Sequence, residues 1–328
     1  MTQMHVRPLG DSGLSVSVLG LGCNAFGSRI DETQARSVVE AALEAGITFF
    51  DTADTYGLGA SEVILGRALG SRRDDVVVAT KGGMDMQGRN GPDWGARASR
   101  RYLTRALDAS LERLGTDHVD LYQLHTPDRV TPIDETLAFL DNAVRAGKIR
   151  YAGCSNLRSW ELVDAVWTAR SAGTTSFVSA QNEYSLYNRT AEDDLVPACE
   201  HLGVGLIPYF PLAYGLLTGK YRRGEAAPEG SRLADGAQAA RLAAADWDRI
   251  EALGTFADER GLTMLDVAIG GLVAKPAVSS VIAGATRPEQ IAANAAAAQW
   301  IPSEEDRVAL DALADPAGHS YSTFAPRR

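Results

Sequence analysis

Four polar side chains, Asp51, Tyr56, Lys81 and His125, stand where they could share one reaction. Asp51 closes the apolar run Ile47-Thr48-Phe49-Phe50, and Tyr56 follows in the next loop. Lys81 closes the run at 76–80, and His125 closes the run at 119–124. A phenol ordinarily titrates near pH 10, too high for efficient proton exchange at neutrality. A nearby ammonium stabilises the phenolate and is expected to lower that value, while a carboxylate keeps the ammonium charged and in place. A neutral imidazole can orient the reacting oxygen by hydrogen bonding. Together these groups make an acid able to protonate a developing alkoxide. Taken singly, each has a plainer reading: turn chemistry for 51–55, a solvated lysine, a satisfied core histidine.

For the four to meet, the runs that end in them must converge. Short apolar runs, expected as strands, lie at 16–20, 47–50, 76–80, 119–124, 150–154, 177–181, 204–209 and 278–283. Amphipathic stretches, expected as helices, lie near 33–45, 61–69, 100–114, 133–146, 159–169, 191–201, 263–274 and 288–298. Eight alternating pairs predict an α/β fold, a (β/α)8 TIM barrel forming a single domain over 1–328, with chemistry at the carboxyl ends of the strands. Asp31 offers a cap for the first helix, and Gly46, Gly147 and Gly203 stop theirs. Pro197 fits its helix least well. Long loops are expected at 82–98 and 222–245, both leaving the carboxyl face as lids, and a surface tail at 316–328.

Composition narrows the function classes. The 328 residues are 45% hydrophobic and 23% charged, the balance of a soluble globular chain. A formal charge of −10 without a dense basic run argues against nucleic acid or an anionic membrane as partner. Residues 1–8 carry no apolar signal-peptide core, and no apolar run approaches membrane-span length. Cys23, Cys154 and Cys199 are far apart and odd in number, which disfavours disulfides and structural zinc. A cytoplasmic protein with reduced thiols is expected. A metal-dependent barrel hydrolase would need several histidines at strand ends, and only five His occur, of which His125 alone ends a run; no metal is expected.

Two motifs invite misreading. Gly20-Leu21-Gly22-Cys23-Asn24-Ala25 satisfies a dinucleotide-turn spacing, but no helix follows at once. Gly215-Leu216-Leu217-Thr218-Gly219-Lys220-Tyr221 echoes a P-loop but is one residue short, with Tyr221 in place of Ser or Thr.

The chain resembles the aldo-keto reductase family, including its potassium-channel beta-subunit-like branch. The motifs that carry this are Gly20-Leu21-Gly22-Cys23, Phe50-Asp51-Thr52-Ala53-Asp54-Thr55-Tyr56-Gly57, Ala79-Thr80-Lys81, Asp117–His125, Gly153-Cys154-Ser155-Asn156, Gln181-Asn182-Glu183-Tyr184-Ser185 and Gly219-Lys220-Tyr221, in family order. The resemblance implies NADPH-dependent reduction of an aldehyde or ketone, with the tetrad Asp51, Tyr56, Lys81 and His125 and with Tyr56 as general acid. It places Gly22, Cys23, Asn24 and Asp51 at the cofactor. It gives the nicotinamide amide to Ser155, Asn156 and Gln181 and its ring to Tyr209. The diphosphate is expected against Leu212, Gly215, Leu217, Thr218 and Lys220. The adenosine end is expected at Gly284, Thr286, Arg287, Gln290 and Asn294, where a helix start beside an arginine suits a 2′-phosphate. Gln290 stands where many NADPH-selective members carry Arg. The substrate pocket is expected at Asn24, Phe26, Tyr56, Trp94 and His125. The other reading the resemblance leaves open is an NADPH-binding redox sensor or regulatory subunit of slow turnover.

Overall fold

The computed structural model describes residues 4–234 and 236–313, so the expected tail at 316–328 lies outside the described residues. The chain opens with an antiparallel hairpin of Val6–Pro8 (β1) and Ser15–Ser17 (β2). Eight parallel strands follow: Leu19–Gly22 (β3), Phe49–Asp51 (β4), Val77–Gly82 (β5), Val119–Leu124 (β6), Ile149–Ser155 (β7), Phe177–Gln181 (β8), Gly205–Leu206 (β9) and Val281–Gly284 (β10). They pair in the order β10-β3-β4-β5-β6-β7-β8-β9. A Leu206–Val278 bridge, with Ile282 N–H donating to Pro208 O at 3.0 Å, joins the last strand to the first, making a (β/α)8 barrel.

The expected first strand at 16–20 is two elements. Ser17 Oγ donates to Leu19 O and accepts from the Thr48 and Phe49 N–H groups, turning the chain between hairpin and barrel. The hairpin is a plug. Leu9, Leu14 and Val16 pack into one buried cluster with Phe49, Ala79, Leu121 and Ile282, inward residues of the strands, and with Ile207 just past β9. Burying that apolar surface closes the amino-terminal end of the barrel to water. The expected strand at 204–209 is cut to two residues; Pro208 has no N–H to donate to a ladder.

Strand parity connects this plug to the functional end. Successive side chains alternate between faces, so residues two apart share one. Phe49 therefore shares its face with Asp51, Ala79 with Lys81, and Leu121 with Gln123. Moving up the barrel, the interior changes from apolar to polar within one such step.

Eight of the helices follow the expected pattern: Glu32–Glu44 (α1), Ala60–Leu69 (α2), Arg100–Leu114 (α3), Ile133–Arg145 (α4), Ser159–Ala172 (α5), Leu195–Leu202 (α6), Met264–Val273 (α9) and Pro288–Ala297 (α10). Pro197 is comfortable because α6 starts at Leu195, placing it in the first turn where N–H groups lack intrahelical acceptors. Three further helices were not expected: Gly236–Ala243 (α7), inside the segment read as a loop, Trp247–Asp258 (α8) and Glu304–Ala312 (α11). Among the described residues, no helix is long and apolar enough to cross a membrane.

The α2–α3 contact offers a test of packing against propensity. A Cβ on Gly66 would lie 2.2 Å from the Leu114 carbonyl oxygen, a backbone atom. Helix propensity alone would make Gly66→Ala favourable by about 1 kcal/mol. The clash should win, with a net loss of about 1–3 kcal/mol in urea melts. A variant as stable as the parent or more so would refute this close approach.

Candidate active site

Lys81 is completely buried, and an ammonium without water must find its acceptors in the protein. Its Nζ donates to Asp51 Oδ2 at 2.6 Å, to Thr52 O at 2.8 Å and to Tyr56 Oη at 3.3 Å. The second carboxylate oxygen of Asp51 accepts from Gln123 Nε2 at 3.2 Å and from Gln181 Nε2 at 2.8 Å. Carboxylates and burial set the Lys81 shift against each other. Burial pulls its pKa down, the Asp51 charge and Tyr56 push it up, and the net direction is upward. Lys81 is therefore a fixed cation.

Tyr56 behaves differently from the sequence expectation. Burial raises its phenol above the ordinary value; the Lys81 charge lowers it and the Asp51 charge raises it, and the net direction is up. The ammonium does not win because burial outweighs it, and its partner carboxylate opposes its field. The phenol thus remains protonated at neutral pH, which suits a donor. His125 stands edge-on to it, with ring centroids 6.1 Å apart at 84°. Burial, aided by the Lys81 charge, holds its imidazole well below the ordinary range, so the ring is neutral. His125 Nδ1 is buried without a partner, and with no acceptor there the ring proton belongs on Nε2.

These groups open into one cavity of about 610 Å³ that runs from Tyr56 and His125 to the start of α10. Gly22, Asn24 and Asp51 contribute from β3 and β4, and Ser155, Asn156, Gln181 and Tyr209 line the opposite side. The latter residues are mutually bonded: Ser155 Oγ to Gln181 O at 2.7 Å, Asn156 Nδ2 to His125 O at 2.9 Å, and Tyr209 Oη to Asn156 Oδ1 at 2.8 Å. Leu212, Gly215, Thr218 and Lys220 follow from the chain after β9; Gly284, Thr286, Arg287 and Gln290 come from the end of β10 and the start of α10. Gln290 Oε1 accepts from the Thr286 N–H at 2.7 Å, so it folds back on its own turn. Non-glycine residues with positive φ gather here: Asn156, Phe210, Ala213 and Tyr214. Strained backbone of this kind persists where the surroundings enforce it, commonly at functional sites.

Other expected residues lie elsewhere. Cys23, Phe26, Leu217 and Asn294 are buried and absent from the cavity wall. Trp94 is 73% exposed, with the Arg101 guanidinium 4.1 Å above its ring, and it too is absent from the wall. Conversely, the wall contains residues the sequence reading did not single out: Arg29, Phe210, Glu229, Arg232 and Arg241. Arg232 lies over Phe210 and Tyr214 at 5.2 and 5.0 Å, and Arg241 over Tyr214 at 4.0 Å. For Glu229, Arg232 and Arg241 the available signal is their place in the arginine-bearing segment at 222–245 expected as a lid; nothing comparable marks Arg29 or Phe210.

Residues 18–315 match the model of the Aldo/keto reductase family. An uncharacterised oxidoreductase, YrpG of Bacillus subtilis, is 36% identical over 98% of this chain and 100% of its own length. A probable voltage-gated potassium channel subunit beta of Arabidopsis thaliana is 36% identical over 91% of this chain and 92% of its own. The L-glyceraldehyde 3-phosphate reductase of Escherichia coli O157:H7 is 35% identical over 89% of this chain and 87% of its own. The chain belongs to the aldo/keto reductase family. It is an oxidoreductase.

This aldo/keto reductase also holds a buried acid behind the tetrad. Asp54 is fully buried, its N–H donates to Lys81 O at 3.1 Å, and Oδ2 meets Asn90 Nδ2 at 3.4 Å, while Oδ1 has no partner. Glu62 nearby is held by Thr80 Oγ1 at 2.5 Å and Arg113 Nε at 2.7 Å. Burial first, then the Glu62 charge, pushes the Asp54 carboxyl up to about 8. An acid raised on folding retains a proton that the unfolded chain has released. Its cost therefore grows as pH rises from about 4 towards 8. Asp54→Asn should relieve at least about 1 kcal/mol at pH 8.5 and little at pH 4. Thermal melts in which both proteins lose stability equally with pH would contradict this assignment.

Proposed function

We propose that this protein reduces an aldehyde or ketone to an alcohol with NADPH, Tyr56 donating the proton. One observation supports this above the rest: a protonated phenol held by a buried Lys81–Asp51 pair faces a cavity walled by cations. Lys220, Arg232, Arg241 and Arg287 line it, with Asp51, already paired, and Glu229 as its acids, in a chain of net charge −10. Such concentration of positive charge fits a polyanionic dinucleotide. Lys220 and Arg232 would meet its diphosphate, Arg287 and the amino end of α10 its 2′-phosphate, and Asn156 and Gln181 its carboxamide.

When bound, the cofactor would supply the hydride for the carbonyl carbon. His125, neutral with its proton on Nε2, donates a hydrogen bond that orients the carbonyl oxygen. Tyr56 then gives its proton to the developing alkoxide, a far stronger base than phenolate, so a raised phenol pKa does not hinder the transfer. Lys81 takes up the phenolate charge that remains, and Asp51 keeps Lys81 charged and in place. Similarity to a protein named as a channel beta subunit supports a second reading, a cofactor-binding sensor that turns over slowly.

Tyr56→Phe should lower kcat/KM for any reduced carbonyl by about 100- to 10,000-fold. NADPH affinity by fluorescence titration should stay within about threefold, since the phenol is not asked to bind cofactor charge. Robust turnover by the variant would reject the phenol as donor; failure of the parent to oxidise NADPH with any carbonyl would favour the sensor. Arg287→Ala should raise KM for NADPH by about 10- to 100-fold and hardly affect NADH. Equal losses with both cofactors would reject 2′-phosphate recognition.

A further inference from the structure

Once Lys220, Arg232 and Arg287 are set against the cofactor phosphates, and Arg241 is seen engaged by Gln238 Oε1 at 2.7 Å and stacked on Tyr214, one wall cation has no assignment. That residue is Arg29. Its backbone is fixed: Arg29 N–H donates to Ala25 O at 2.9 Å, and a Phe26–Ile30 bridge closes the loop around two buried apolar residues. The loop sits against the proton donor's own loop. A Cβ on Gly27 would lie 2.6 Å from Ala60 Cβ, and one on Gly57, the residue after Tyr56, would lie 3.3 Å from Phe26 O. Arg29 thus lines the cavity from a rigid loop packed against the loop that carries Tyr56, and its charge also reaches Arg232. Among the described residues its guanidinium forms no ion pair or side-chain hydrogen bond, although it lines the same cavity as Tyr56.

We propose that Arg29 selects carbonyl substrates that carry an anionic group, a carboxylate or phosphate, at the end away from the reacting carbon. A guanidinium is planar, always charged and shaped to bind either anion through two parallel hydrogen bonds. Its position on a fixed loop leaves only side-chain freedom to be lost on binding. The proposal rests on the carbonyl-reductase reading and names the substrate class of that site.

The test compares 4-carboxybenzaldehyde with its methyl ester, which differ mainly in charge, and adds a phosphorylated short aldehyde with its unphosphorylated counterpart to distinguish carboxylate from phosphate. Arg29→Met is the variant; the side chain is exposed, so folding is not at stake, and a melt confirms it. The parent should prefer at least one anionic partner. In the variant, kcat/KM for that substrate should fall about 10- to 100-fold, mainly through KM, while the neutral partner changes less than about threefold. Arg29→Lys should recover part of the loss. No anionic preference in the parent, or an equal fall for charged and neutral partners, overturns the proposal; an equal fall with weaker NADPH binding in a titration would give Arg29 to the cofactor instead. Absence of NADPH oxidation with every aldehyde, neutral ones included, would refute the carbonyl-reductase reading on which the proposal stands.

Discussion

The buried ion pair between Lys81 and Asp51 is the constraint around which the rest is arranged. Removing two charges from water costs several kcal/mol each unless every polar atom is satisfied, and a half-satisfied pair is worse than none. Here the ammonium has three acceptors, and Asp51 Oδ1 has two amide donors, one from β6 and one from β8. The pair therefore draws together groups from four barrel strands and the loop after β4. Its rigidity, more than its net energy, serves the site: Tyr56 is held by a cation that cannot move.

That same burial governs the protonation states at the site. A lysine beside a tyrosine is commonly read as an acidifying influence, yet the phenol here is raised because desolvation outweighs a cation whose effect Asp51 opposes. His125 experiences the opposite consequence of the same environment and stays neutral. A protonated phenol beside a neutral imidazole suits the proton donation proposed for Tyr56. The apolar plug formed by the amino-terminal hairpin contributes from below, because it keeps water out of the barrel interior one residue layer beneath the pair.

Around this buried pair the fold builds a cationic rim. Phe210, Ala213 and Tyr214 adopt left-handed backbone conformations after β9, and two of their rings carry the guanidinium of Arg232. Arg232 is partly buried, and burial together with the Arg29 charge lowers its guanidinium pKa. Placing like charges close together is unfavourable in the empty protein and favourable once an anion arrives, so the strain is directed at binding.

The sequence by itself determined much of this. Short apolar runs of barrel type alternate with amphipathic helices, and Asp51, Lys81 and His125 stand at or just past their carboxyl ends; period-two alternation sets which strand residues share a face with each of them, and barrel closure makes that face the inward one. Gly-Lys-Tyr at 219–221 and the helix start at 287 likewise declared the cavity's far end. What depended on distant contacts could not be read locally. The run at 16–20 was as apolar as any strand, and only Ser17 bonding to Leu19 and Thr48 divides it into plug and barrel. Trp94, expected at the pocket, stands exposed at the surface with Arg101 over one face of its ring. Arg29, Arg232 and Arg241 became part of the site only when the loops bearing them folded over one cavity, and the sign of the Tyr56 shift required knowing how deeply the phenol is buried. Strand parity is a property of the chain; desolvation and charge convergence are properties of the volume it encloses.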